Sequence, residues 1–109
     1  MDELLLREIC RITGVTRRAV QGYEKAGLVT PCGKNKNGYL LYHKDTAEQI
    51  KKIKLFQERG FRLKEIKHFE QLSRQELKFV LINKILELKS KQAHLGTVAD
   101  EIRVIITGL

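Results

Sequence analysis

Apolar residues recur at spacings of three and four along most of the chain, and glycines divide them into segments. Such spacing is typical of amphipathic helices. The first segment predicts a helix that begins at Leu4 or Leu5 and ends at Thr13. Its buried face is expected to hold Leu5, Ile9 and Ile12.

A second helix is predicted directly after Gly14, and its two faces differ in chemistry. Thr16 can cap the first turn, and Gly27 ends the helix. One face carries Ala19, Val20, Tyr23 and Ala26, and the other carries Arg17, Arg18, Gln21 and Lys25. A short helix, a glycine turn and a helix with a basic, amide-bearing outer face are typical of a helix-turn-helix DNA reader.

Two β-prone runs follow, over residues 28–30 and 39–42. They are separated by a polar loop that ends in Asn37-Gly38, a strong hairpin signal. The pattern predicts a two-stranded wing with Lys34 and Lys36 at its tip, where they can reach a phosphate backbone. A solvated loop is the alternative.

Two short helices are predicted next. Asp45 is expected to cap the first, with Glu48 completing a capping box, and Gly60 ends it. Its inner face is predicted to contain Ala47, Ile50, Ile53 and Phe56, helped by Leu55. The second places Leu63, Ile66, Phe69 and Leu72 on one side and must pack on its neighbours, because it is too short to be stable alone.

The last third predicts one long helix that begins after a capping box formed by Ser73 and Glu76. About 35 helical residues span near 50 Å, too long to be buried against a domain of this size. Leucine or isoleucine recurs every seven residues, which is typical of a coiled coil with a second chain. The predicted dimer interface comprises Leu77, Leu81, Ile85, Leu88, Leu95, Val98 and Ile102.

The charge supports a polyanionic partner. The 109 residues contain 21 lysines and arginines against 13 acids, a net charge of +8, and most of the excess lies in residues 1–70. A merely soluble basic protein is the alternative. The expected organisation is a DNA-binding domain over residues 1–72 and a dimerisation helix over residues 73–109.

Several other classes are not expected. Cys10 and Cys32 are too few for a disulfide framework, and no signal peptide or membrane-spanning stretch of about 20 apolar residues occurs. The three histidines show no metal-ligand spacing, and no catalytic constellation stands out. The sequence predicts a cytoplasmic protein that is not an enzyme and has no cofactor, no metal and no membrane partner.

Four motifs in order resemble the MerR family of bacterial transcription regulators. They are ITGVT at 12–16, YEKAGLV at 23–29 followed by Pro31, GYLLY at 38–42 and GFRLKEI at 60–66. The resemblance covers residues 6–72. It implies a mainly α fold: a winged helix-turn-helix with a small β-hairpin, two further helices and a long helix that pairs antiparallel with its mate.

The family also implies a mode of action. Its members bind as dimers to a near-palindromic promoter element with a long spacer, and activating members bend and untwist that spacer so that RNA polymerase can engage. Such a regulator would be associated with the nucleoid. The expected DNA-binding residues are Thr16, Arg17, Arg18, Gln21, Tyr23, Lys34, Lys36, Tyr39 and Tyr42.

Three positions depart from the family pattern. Gln21 and Gly22 stand where the family has arginine and tyrosine, and Leu40 stands where the wing usually has arginine. Gln21 can still bond an adenine edge or a phosphate, and the wing lysines are expected to replace the charge missing at Leu40. The alternatives are a winged-helix adaptor that binds another protein, or an architectural, excisionase-like DNA-bending protein.

Overall fold

The computed structural model describes residues 3–109, which divide into two compact units. The first ends at Gln71, and the second comprises Leu72–Leu109. We call the first unit the head. The observed division lies one residue before the boundary expected from the sequence.

The head contains three short strands and four helices. In chain order these are β1 (Glu3–Leu5), α1 (Leu6–Thr13), α2 (Arg17–Lys25), β2 (Gly33–Lys34), β3 (Leu40–His43), α3 (Asp45–Glu58) and α4 (Leu63–Phe69). The second unit contains one helix, α5 (Arg74–Thr107). The predicted fold class is confirmed: a mainly helical chain with a small antiparallel sheet and a long C-terminal helix.

The sheet has the strand order β1-β3-β2, and both pairings are antiparallel. The sequence prediction missed β1, because a run of three leucines suits either a helix or a strand. Leu4 lies opposite Tyr42 on the central strand, and the helix begins only at Leu6. The carboxylate of Glu8 accepts the backbone N–H of Leu5 at 2.9 Å, which ends the strand and caps the helix.

The predicted strand over residues 28–30 is wrong, because this backbone closes the end of α2 instead. Gly27 adopts a positive φ of 76°, and the N–H of Leu28 donates to the carbonyl of Tyr23 at 2.9 Å. The side chains of Leu28 and Val29 enter the core without forming a ladder. The wing is therefore shorter than predicted.

Three local predictions also need correction. Asp45 is the first residue inside α3, with Lys44 at the cap position, and Glu48 pairs with Lys51 at 3.2 Å instead of completing a capping box. Leu55 is 48% exposed and does not support the inner face of α3. Ile12 is 49% exposed, and Thr13 occupies the buried position, where its hydroxyl donates to the carbonyl of Ile9 at 2.7 Å.

The core of the head lies between the sheet, α1, α2 and α3. Its most deeply buried side chains are Ile9, Val20, Tyr42 and Ile50. Three phenylalanines close the side where α3 meets α4, with ring centroids 5.3–5.8 Å apart in edge-to-face contact. They are Phe56, Phe61 and Phe69.

The capping box predicted at the start of α5 is confirmed. The Ser73 hydroxyl accepts the N–H of Glu76 at 3.1 Å, and the Glu76 carboxylate accepts the N–H of Ser73 at 3.0 Å. The helix has 34 residues, which corresponds to about 50 Å. None of its residues is buried.

Candidate nucleic-acid interface

The start of α2 presents a basic surface on a well-defined helix terminus. The Thr16 hydroxyl accepts the N–H of Ala19 at 3.1 Å, so the predicted cap is present. Val20 and Tyr23 face the core, and the opposite side exposes Arg17, Arg18 and Gln21. The first turn contains no acid.

These three side chains have the chemistry of base readout. Arginine can donate two hydrogen bonds to a guanine edge, and glutamine can pair with adenine. A helix N-terminus also attracts phosphate through its free N–H groups and its dipole. The exposed start of α2 can therefore serve both base and backbone contacts.

Tyr23, which is predicted to contact DNA, is buried in the structure. Its side chain is 3% exposed, and its hydroxyl donates to the amide oxygen of Gln57 on α3 at 2.9 Å. Burial raises the pKa of this phenol. Tyr23 fixes the recognition helix against α3.

Tyr42, which is also predicted to contact DNA, is buried as well. It has no exposed surface, and its hydroxyl donates to the carboxylate of Glu24 on α2. Burial, and next the bond to Glu24, raise the pKa of the phenol well above its usual range. In the folded head, Tyr42 joins the central strand to α2 through this hydrogen bond.

The tip of the wing is an ordered turn. The Asn35 side-chain oxygen accepts the N–H groups of Asn37 and Tyr39, each at 3.0 Å, and Gly38 adopts a positive φ of 81°. Lys34 and Lys36 are exposed, and Tyr39 is 62% exposed. The structure thus presents these three wing residues to solvent, as a backbone contact would require.

A surface cavity of about 450 Å³ lies between the wing, the start of α1 and the start of α2. It brings together Arg17 and Tyr39 from the predicted set. Arg18, Gln21, Lys34 and Lys36 do not line it. Its full lining is Leu5, Leu6, Arg7, Arg17, Asn35, Asn37, Gly38, Tyr39 and Leu40.

The cavity includes Arg7, which is not among the predicted DNA-binding residues. Arg7 is the second residue of α1 and is exposed. Its place in the sequence does not reveal that it lies near the wing. That proximity depends on β1, because Leu5 pairs with Leu41 on the strand that carries the wing. Helical periodicity alone gives no signal for it.

Gly22 leaves an open position on α2. A Cβ added there would meet nothing within 4 Å, so no neighbouring atom requires a glycine. The residue is half-buried inside the helix. The family's aromatic contact at this position is missing, and no described side chain fills the space next to the backbone.

The predicted dimer residues all lie on α5. Leu77, Leu81 and Val98 are half-buried along that helix. The other four are between 48% and 67% exposed: Ile85, Leu88, Leu95 and Ile102.

Within residues 3–109 no group of three or more histidine, cysteine or acidic side chains could hold a metal ion. Cys10 is half-buried and Cys32 exposed, and both thiols are free. No helix in this part of the chain is long and apolar enough to cross a bilayer.

Sequence comparison identifies related regulators. A family model described as "MerR HTH family regulatory protein" matches residues 5–72. The chain is 32% identical over 76 residues to the transcriptional regulator YfmP of Bacillus subtilis. The aligned segment covers 69% of this chain and 54% of YfmP. It is 33% identical over 60 residues to CueR of Escherichia coli O157:H7, covering 55% of this chain and 44% of CueR. The chain thus spans about half the length of these curated relatives.

Solved structures share the fold. MtaN, the N-terminus of the Bacillus subtilis multidrug transporter activator, superposes with a TM-score of 0.83 at 26% identity, covering 94% of this chain and 97% of MtaN. HiNmlR, a MerR family regulator lacking the sensor domain and bound to promoter DNA, gives 0.67 at 18% identity, covering 90% and 79%.

The matched relatives are transcription regulators and not enzymes. Because the family model covers residues 5–72, more than half of the chain, the protein belongs to the MerR family of helix-turn-helix transcription regulators.

Proposed function

We propose that this protein regulates transcription by binding promoter DNA as a homodimer, with the start of α2 in the major groove of each half-site. The observation that carries the proposal is the capped, acid-free start of α2. It exposes Arg17, Arg18 and Gln21 while Val20 and Tyr23 are buried. Thr16 contributes the cap and lies at the same exposed end.

The wing supplies contacts that position the protein without reading sequence. Lys34 and Lys36 are exposed on and beside β2, and Tyr39 projects from the same turn. Phosphate contacts of this kind set register and orientation on the duplex. They add affinity for every sequence alike.

The second copy of the chain joins through α5. A helix of 34 residues with a leucine or isoleucine every seventh position and no buried residue needs a partner helix. Two linked heads bind more tightly than one, because the second contact becomes intramolecular. We expect the pairing to be antiparallel, as the family resemblance implies.

The operator is proposed to be a near-palindrome with a long spacer. Bending and untwisting that spacer costs free energy that depends on its sequence, so bases without a direct contact contribute to specificity. RNA polymerase is the proposed partner, because it would engage the deformed promoter. The site of action is the nucleoid in the cytoplasm.

The test is a mobility-shift titration of the full chain against the DNA upstream of its own gene, at several salt concentrations. Neutralising Z phosphates gives a log–log slope of about −0.9Z. Arg18→Ala should weaken binding to the specific site by about 1–3 kcal/mol, whereas Lys36→Ala should weaken binding to all sequences equally. An affinity independent of salt would contradict the proposal.

Sedimentation separates this proposal from the adaptor alternative. A dimer that dissociates on dilution supports self-association through α5. A concentration-independent monomer would favour a winged-helix adaptor whose long helix pairs with a different protein. DNA bending without any effect on transcription would favour the architectural, excisionase-like alternative.

A further inference from the structure

The cavity between α1, α2 and the wing has a composition that suits one particular ligand group. We infer that it seats a single phosphate of the DNA backbone, and that Arg7 is a DNA-binding residue. This inference rests on the proposed function, and it adds a contact from an element outside the recognition helix and the wing.

The cavity is positively charged and contains no acid. Its two charged lining residues are Arg7 from α1 and Arg17 from α2, and none of the nine lining residues is aspartate or glutamate. Glu8, which follows Arg7 in the chain, has its carboxylate bound to the N–H of Leu5. Within the part of the chain that the structure describes, neither arginine forms an ion pair. Both arginines are exposed, so their guanidinium groups can reach an anion.

The wing side of the cavity adds uncharged donors. The side-chain oxygen of Asn35 is already engaged by two backbone N–H groups, so its NH₂ group is the donor that remains. Asn37 and Tyr39, which also carry donor groups, line the same space. Phosphate oxygens accept such hydrogen bonds, and they form the strongest ones with guanidinium groups.

The remaining lining favours a phosphate that belongs to a polymer. Leu5, Leu6 and Leu40 supply an apolar part of the wall. A free, fully hydrated anion gains nothing from leucine, whereas the sugars on either side of a backbone phosphate can pack against it. A volume of about 450 Å³ leaves room for both the phosphate and its sugars.

The location of the charge also distinguishes Arg7 from the wing lysines. Neither Lys34 nor Lys36 lines the cavity, and Leu40 lines it without a charge. Any phosphate held here is therefore held across the cavity, by Arg7 on one helix and Arg17 on the other. The wing contributes only neutral donors to this site.

The test compares Arg7→Gln with the unmodified full chain in salt-dependent binding to duplex DNA. Because Arg17 would still contact the phosphate, the variant should reduce the log–log slope by up to about 0.9 per site, or up to about 1.8 for a dimer with two sites. Affinity should fall by the same factor on the operator and on unrelated DNA, because a phosphate contact carries no sequence information. Arg7→Lys should keep the slope of the unmodified chain, since it retains the charge.

Arg11→Gln is the matched control. Arg11 is exposed on the same helix and lies outside the cavity. It should leave the slope unchanged. Circular dichroism and thermal unfolding of each variant establish that the head remains folded, which is expected because Arg7 is exposed.

A neutral methylphosphonate placed at successive backbone positions locates the contact. At one position per half-site, this replacement should reduce the affinity of the unmodified chain more than it reduces the affinity of Arg7→Gln, which keeps only the Arg17 contact. A slope for Arg7→Gln equal to that of the unmodified chain would overturn the inference and leave the proposed function intact. A loss confined to the operator would also overturn it, because Arg7 would then read bases. If the unmodified chain did not bind DNA at all, the proposed function itself would be contradicted, and the inference about Arg7 would fail with it.

Discussion

The head and α5 use similar side chains in opposite ways. In the head, apolar residues from several elements meet, and Ile9, Val20, Tyr42 and Ile50 are removed from solvent. In α5, a single helix carries many apolar residues, and none is buried. Composition alone does not distinguish the two regions. The number of elements that bring their apolar faces together does, because several do so in the head whereas α5 is a single helix. The proposed pairing of α5 with a second chain would make its stability depend on concentration.

The largest expected effect concerns α5. Leu88→Ala removes one apolar side chain from each helix of the proposed dimer, and each buried leucine contributes about 1.5–3 kcal/mol. The dimer should weaken by about 3–6 kcal/mol, a rise in the dissociation constant of roughly 100- to 10,000-fold. Sedimentation equilibrium measures this directly. Lys89→Ala, the neighbouring exposed residue, should leave the constant unchanged, and equal effects of the two variants would contradict a leucine seam.

The next effect concerns the core of the head. Ile50→Ala leaves a cavity beneath α3 and should lower the free energy of unfolding by about 2–5 kcal/mol. Leu55→Ala changes the same helix at a position that is 48% exposed, and it should cost less than about 1 kcal/mol. Urea unfolding at a fixed protein concentration compares the two. Similar losses would mean that α3 does not have one buried face and one exposed face.

The stability of the head should decrease at alkaline pH because of Tyr42. The pKa of Tyr42 is raised in the folded protein, so its contribution to stability is complete below the unfolded value near 10 and is lost as pH rises toward the folded value. The loss reaches at most about 1.4 kcal/mol per pH unit for one phenol. Urea midpoints between pH 9 and 11 should fall more steeply for the unmodified chain than for Tyr42→Phe. Between pH 6 and 8 the two curves should be parallel, and parallel curves throughout would refute the assignment.

The smallest effect tests glycine in each region. A Cβ at Gly22 or Gly96 meets nothing within 4 Å, and both residues lie inside helices. Gly22→Ala and Gly96→Ala should each stabilise their helix by about 0.5–1 kcal/mol. Gly38→Ala is the opposite control, because its φ of 81° is unfavourable for alanine. Thermal unfolding, with dimer dissociation for the α5 variant, should show increases for the first two and a decrease for the third.

Features that depend on nearby residues could be predicted from the sequence. The Thr16 cap and the Ser73–Glu76 capping box both form as expected. The basic side of α2 is exposed because its apolar side faces the core, and the spacing of residues fixes which is which. The caps require contacts over no more than one helical turn, and the two faces of α2 follow from the spacing of its own residues.

Features that depend on a residue far away in the sequence could not be predicted from it. β1 exists only because Leu4 and Leu5 meet β3 nearly forty residues later, and without that pairing the leucines fit a helix. The same pairing brings Arg7 beside the wing, so missing the strand also meant missing the residue. Tyr39 and Tyr42 look alike in the motif, but Tyr39 lies just before β3 and is exposed, whereas Tyr42 lies on β3 and is buried.

The hydrogen bond from Tyr42 to Glu24 has a further consequence for the kinetics and heat of DNA recognition. It fixes the strand of the wing to the recognition helix within the folded head. The entropy cost of ordering β3 and α2 relative to each other therefore arises during folding. It does not reduce the free energy of DNA binding. The association rate constant should then depend on diffusion and on the salt concentration, with no slow ordering step. The heat-capacity change on binding should reflect the contact area alone, without a contribution from folding.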